Sequence, residues 1–117
     1  MSDMTSVRLK DVLSGSGRSP TKRLALFAWL NLGVIESLAS GLISPSDAVR
    51  LFFNADNCVV VRKLLGKSAD EIMSRGVQLP DLFDALSAED AHREFQHELE
   101  TMRSLCRKLL DERKLVA

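Results

Sequence analysis

Apolar residues recur at intervals of three and four along most of the chain, and this spacing is typical of amphipathic α-helices. The pattern is longest near the end of the sequence, where it predicts a helix over about 88–113, opened by the cap Ser87. The apolar stripe of this helix consists of Phe95, Leu99, Met102, Cys106 and Leu109. A second long pattern predicts a helix over about 20–40, with Ser19 as N-cap and Gly41 at its end.

Shorter patterns predict several further helices. Residues Val7 to Leu13 form one or two turns, and Ser44 followed by Pro45 opens a helix that stops near Asn54. A capping box beginning at Ser68 predicts a short helix closed by Gly76, because glycine commonly terminates helices. Pro80 then predicts the start of another short helix, over 81–86.

The segment 57–65 is ambiguous between helix and strand. Three successive valines, Val59 to Val61, favour a strand over 58–65. A lone strand would leave its backbone groups unpaired, and only the short Val77–Leu79 segment offers a partner, so a helix is the preferred interpretation. The predicted fold is therefore all-α, a small helical bundle with two long helices. Residues 1–19 form an N-terminal short helix and a flexible Gly/Ser loop, and residues 20–117 form a single helical domain.

Composition and charge narrow the function classes. The chain has 117 residues, with 16 basic and 16 acidic side chains. A net charge of zero disfavours a nucleic-acid coat or a polybasic membrane anchor. The most apolar stretch, 24–35, is shorter than the roughly 20 residues of a bilayer span, so no membrane association is predicted. A charged N-terminus without an apolar run, together with only two cysteines, predicts a cytoplasmic protein.

Candidate catalytic and metal-binding residues do not converge in the sequence. Glu94 and His97 have the Glu-x-x-His spacing of di-iron bundles, but His97 lies about 160° from the centre of the apolar stripe and should face solvent. Cys58 and Cys106 lie among apolar residues, where a small buried side chain is expected. The sequence therefore predicts no enzyme, no catalytic residue, no metal site and no cofactor.

One basic cluster lies at a helix N-terminus, where free backbone N–H groups attract anions. It contains Arg18, Lys22 and Arg23, which are possible anion contacts. A second basic group lies at 62–67 and includes Arg62, Lys63 and Lys67. These two regions support the alternative function, a small nucleic-acid-binding regulator, although the zero net charge makes a nucleic-acid partner the weaker hypothesis.

The helix over 20–40 is apolar on two sides. Its core stripe comprises Leu24, Phe27, Ala28, Ile35, Leu38 and Leu42 and includes the polar Asn31. Four residues lie on the other side and form the Trp29 face: Leu26, Trp29, Leu30 and Gly33. A helix with two apolar sides needs two packing partners, so this face is covered either by the same chain or by a second subunit. The leading hypothesis is a non-enzymatic protein-interaction module that forms a homodimer through this face, with a further protein partner possible.

Overall fold

The helical prediction is confirmed by the computed structural model, which describes residues 6–14 and 19–116, with side chains up to residue 111. This part of the chain contains six helices and no strand. They are α1 (Leu9–Leu13), α2 (Pro20–Ala39), α3 (Pro45–Leu51), α4 (Ala55–Leu64), α5 (Lys67–Ala85) and α6 (Ala88–Val116). The Gly/Ser loop predicted before α2 lies mostly outside the described residues, because 15–18 are not described.

Three of the predicted helix starts form as the sequence indicates. The Ser19 hydroxyl accepts a hydrogen bond from the Lys22 backbone at 3.2 Å, and Ser87 caps α6 in the same way. Ser44 and Asp47 form a reciprocal capping box at α3. The hydrogen bond from the Ser44 backbone, with that from Arg50, lowers the pKa of the Asp47 carboxyl below its ordinary value. Each cap satisfies backbone donors that have no partner within the helix.

The valine-rich segment is helical, as preferred from the sequence. Asn54 caps α4 through a 3.0 Å hydrogen bond from the Asn57 backbone, and the helix continues to Leu64. The valines diverge around the helix: Val61 is buried in the core, whereas Val59 is exposed. Packing of one valine and the cap therefore outweigh the strand preference of three β-branched residues.

The two short helices predicted over 68–76 and 81–86 are wrong, because this region is one helix of 19 residues, α5. It begins after Gly66, which has φ 90°, and not at the Ser68 capping box. Gly76 and Pro80 both lie inside the helix. Gly76 is buried directly beneath the ring of Phe53, so it serves close packing and does not end the helix. The bundle consequently has a third long helix beside α2 and α6.

The helices form a flattened bundle of 46 × 38 × 22 Å. Helices α2 and α6 pack along each other, and α5 packs on α6 and also contacts α3 and α4. The end of α2 and the beginning of α6 line the same cleft, so these two helices are antiparallel. All five residues of the predicted α6 stripe are buried, which confirms that α6 is a core element.

The core stripe predicted on α2 is confirmed except at its end. Phe27, Ala28, Ile35 and Leu38 are buried, and Leu24 packs against the same core. Leu42 is instead 76% exposed. Helix α2 stops at Ala39, and the positive φ of Gly41 turns the chain, so the helical spacing no longer applies at residue 42.

Candidate interaction surface on helix α2

The four residues of the Trp29 face lie on the side of α2 that points away from its core stripe. They occupy positions separated by three, one and three residues, so one helical face carries them all. Trp29 is 53% exposed, and Leu26 and Leu30 are half-buried at the edge of the core. The structure therefore brings the predicted interface residues together as one surface on the outer side of the helix.

Gly33 lies one turn from Trp29 on this face, and the space above it is open. A Cβ added to Gly33 would meet no atom of the described residues within 4 Å. The packing of this chain on itself therefore does not require glycine at this position. A glycine inside a helix costs about 1 kcal/mol relative to alanine, and close packing by the described residues does not offset this cost at Gly33.

Two asparagines are buried in the bundle, and they differ in whether their side-chain amides form hydrogen bonds. Asn57 is fully engaged: its Oδ1 accepts from the Leu9 backbone at 3.0 Å, and its Nδ2 donates to the carbonyls of Val7 and Phe52 at 2.8 Å each. Asn31 is 0% exposed, yet neither its Nδ2 nor its Oδ1 has a hydrogen-bond partner in the described structure. The sequence singled out Asn31 by its place in an apolar stripe. The role of Asn57 was missed, because its partners at residues 7 and 9 are remote in sequence.

The basic cluster before α2 is divided between different roles. Arg18 lies outside the described residues. Lys22 is exposed, whereas the Arg23 Nε donates to the Leu13 carbonyl at 2.9 Å and so ties the end of α1 to α2. Arg23 thus has a structural function that the sequence did not indicate.

The second basic group, near 62–67, borders an acidic surface. Arg62 lies 3.5 Å from the carboxylate of Asp70, while Lys63 and Lys67 are exposed. On the neighbouring helices, Arg75 contacts Glu98 and Glu71 at 3.0 Å each, and these carboxylates raise the pKa of its guanidinium. Some of the basic and acidic side chains in this region therefore neutralise one another in ion pairs between and within helices.

The histidines and cysteines lie apart in the fold. His92 and His97 are both exposed on α6. Among the described residues, no group of three or more histidine, cysteine or acidic side chains is arranged to hold a metal ion. Cys106 is buried, and burial raises the pKa of its thiol to about 12. Cys58 is half-buried, and its pKa is raised chiefly by burial and further by Asp70.

The surface of the described residues includes two clefts whose lining contains no residue of the Trp29 face. A cleft of about 470 Å³ lies between the α2–α3 connection and the start of α6, with Leu42, His92 and Phe95 in its lining. A cleft of about 850 Å³ lies between residues 6–11 and α4. Asp11 and Asp56 both border this second cleft.

Comparison with known proteins gives no relative from which a function could be carried over. The chain matches no protein family, no curated protein and no solved structure. Within the described part of the chain, none of the helices has the length and apolar character that a bilayer crossing requires.

Proposed function

We propose that this chain is a non-enzymatic protein-interaction module that pairs with a second copy of itself through the Trp29 face. The observation that carries the proposal is the exposed indole of Trp29 beside the open space over Gly33. A partly exposed tryptophan flanked by two leucines forms an apolar surface, and such surfaces on small proteins commonly mark interaction sites. Tryptophan is also among the residues that contribute most to binding at interfaces.

The geometry suits a two-fold pairing of α2 with its symmetry mate. When two copies of the helix run antiparallel about an axis at the level of residue 31, Trp29 of each copy lies opposite Gly33 of the other. Each indole then fills the space over a glycine, and the same contact occurs twice, as a two-fold interface requires. Close approach of the two helices at Gly33 would also offset the cost of glycine within α2.

The nucleic-acid alternative has weaker support. The Arg23 Nε donates to the Leu13 carbonyl, and Arg62 forms a surface ion pair with Asp70, so both basic side chains have contacts within the chain. Lys22, Lys63 and Lys67 remain exposed. Mixing the protein with duplex DNA at low and high salt discriminates between the two functions, because phosphate contacts weaken steeply with salt.

Sedimentation of the full chain at micromolar concentration tests the pairing. We expect a species of twice the 13.0 kDa chain mass. Trp29→Glu should shift it to monomer, because the pairing would bury a charge without a partner. Leu42→Glu is the matched control, since Leu42 is also apolar and exposed but lies outside the Trp29 face.

Gly33→Leu is the sharper variant because it separates loss of pairing from loss of folding. The described residues leave the space over Gly33 open to a Cβ, and leucine has a higher helix propensity than glycine, so the fold should become more stable. The leucine side chain would nevertheless occupy the position that the proposal assigns to the indole of the second copy. A well-folded monomer is the expected result. A 13.0 kDa species in the unmodified protein would refute the proposal.

A further inference from the structure

The side-chain amide of Asn31 is buried in the closed bundle at a free-energy cost. Both of its polar atoms are removed from water, and neither has a hydrogen-bond partner in the described structure. A polar group buried without a partner destabilises the state in which it is buried relative to any state in which water reaches it. Asn57 shows that the same bundle can satisfy a buried amide, because all three of its side-chain contacts reach backbone groups.

Asn31 lies on the buried side of α2, and α6 is the helix on which α2 packs most extensively. Leu38 on α2 and Phe95 on α6 line one cleft, and the two helices are antiparallel. Taking Leu38 and Phe95 as level with each other, the equal rise per residue on both helices puts Asn31 near the level of Met102 and one turn from that of Cys106. On this register, the residues of α6 nearest to Asn31 belong to the C-terminal half of that helix.

From Met102 to residue 111, where its side chains are described, α6 is held in place mainly by apolar packing. The ion pair between Arg75 and Glu98 links α5 to α6 before this point. Among the described side chains from Met102 to residue 111, the polar contact that forms is the ion pair between Arg103 and Glu100. Both residues lie on α6, so this ion pair does not link α6 to another helix. Met102, Cys106 and Leu109 are buried and supply the packing.

We infer that the half of α6 from Met102 onward separates from α2 in a local opening, distinct from global unfolding, and that Asn31 sets how often it does so. Opening lets water bond both amide atoms, which recovers the cost of their burial. The protein with asparagine at residue 31 should therefore populate the open state roughly 5- to 150-fold more than a variant with an apolar side chain there. Asn31 and the Trp29 face lie on opposite sides of α2, so the opening does not depend on self-association.

Cys106 provides a direct reporter, because its thiol is fully buried in the closed bundle. The test measures alkylation of Cys106 by iodoacetamide at pH 8 in the full chain carrying Cys58→Ser. We expect modification faster than global unfolding permits, as judged from urea denaturation of the same protein. Asn31→Leu should slow it by roughly 5- to 150-fold. Asn31→Ala should also slow it, and this variant removes the amide without adding volume.

Asn54→Ala is the matched control, because Asn54 caps α4, which packs on α5 and α1. Loss of this cap should make global unfolding several-fold more frequent and leave alkylation of Cys106 unchanged. Three results would overturn the inference. They are alkylation no faster than global unfolding, an unchanged rate in both Asn31 variants, or acceleration by Asn54→Ala in proportion to the lost stability.

Discussion

Replacement of Gly76 by alanine should destabilise the protein, although alanine is the better helix former. An added Cβ would lie 2.5 Å from ring carbons Cγ and Cε1 of Phe53, and non-bonded contacts of a Cβ this short essentially never occur in folded proteins. The ring has little freedom to move, because Phe53 is buried and packs edge-to-face on Phe52 with centroids 5.2 Å apart. Overpacking of a rigid core position costs about 1–3 kcal/mol.

Two opposing terms set the size of the effect. The change from glycine to alanine within a helix gains about 1 kcal/mol. Because three ring atoms of Phe53 surround the new methyl group, we place the steric cost at about 3 kcal/mol, the upper end of the usual range. The expected net loss is therefore about 2 kcal/mol. For a chain of this length that corresponds to a decrease in Tm of about 8 °C.

Gly33→Ala is the matched control, because it is the same substitution in a long helix but above open space. It should stabilise the monomer by about 1 kcal/mol, and the difference between the two variants isolates the steric cost at Gly76. Urea denaturation at submicromolar protein excludes a contribution from self-association. If Gly76→Ala is as stable as the unmodified protein, the ring of Phe53 does not pack on Gly76.

Three further predictions test the core and its polar contacts. Leu99→Ala should cost ~2–5 kcal/mol in urea denaturation, because Leu99 is almost fully buried, and a loss well under ~1 kcal/mol would contradict that burial. Asn57→Ala should cost ~2–4 kcal/mol, since it leaves the Leu9 N–H without its acceptor, and hydrogen exchange at Leu9 should accelerate. Burial raises the pKa of Cys106 to about 12 and favours the protonated thiol in the folded state. The resulting contribution to the free energy of unfolding is complete below about pH 9 and is lost as the pH rises toward 12. In Cys106→Ala, the free energy of unfolding should therefore fall less steeply between pH 9 and 12 than in the unmodified protein.

Interactions between near neighbours in sequence determined much of the fold. Ser19, Ser44 and Ser87 cap helices because each hydroxyl reaches a backbone N–H three residues ahead, whatever the rest of the chain does. The apolar stripe of α6 could also be predicted from the sequence, because a spacing of three and four residues defines one face of a helix whatever helix packs against it. These local rules suffice for the all-α class and for the positions of α2 and α6.

Contacts between residues distant in sequence determined the one region where the local rules predicted the wrong helices. Gly76 and Pro80 predict breaks in isolation, but α5 continues through both while Ile72 and Leu79 pack in the core. Gly76 is needed because Phe53, from the turn after α3, lies against it. Local propensity cannot anticipate that contact, because burial against a ring reverses the usual meaning of a glycine in a helix.

The Trp29 face was likewise determined partly by the local sequence and partly by the tertiary structure. Helical spacing alone placed Trp29 and Gly33 on the side opposite the core stripe. Only the folded chain shows that Trp29 is half exposed and that the space over Gly33 is open. The two buried asparagines are alike as residues, yet Asn57 bonds the N-terminal segment, whereas the amide of Asn31 has no hydrogen-bond partner in the described structure. Whether a buried amide finds partners depends on which remote backbone groups the fold brings to it, and tertiary structure alone determines that.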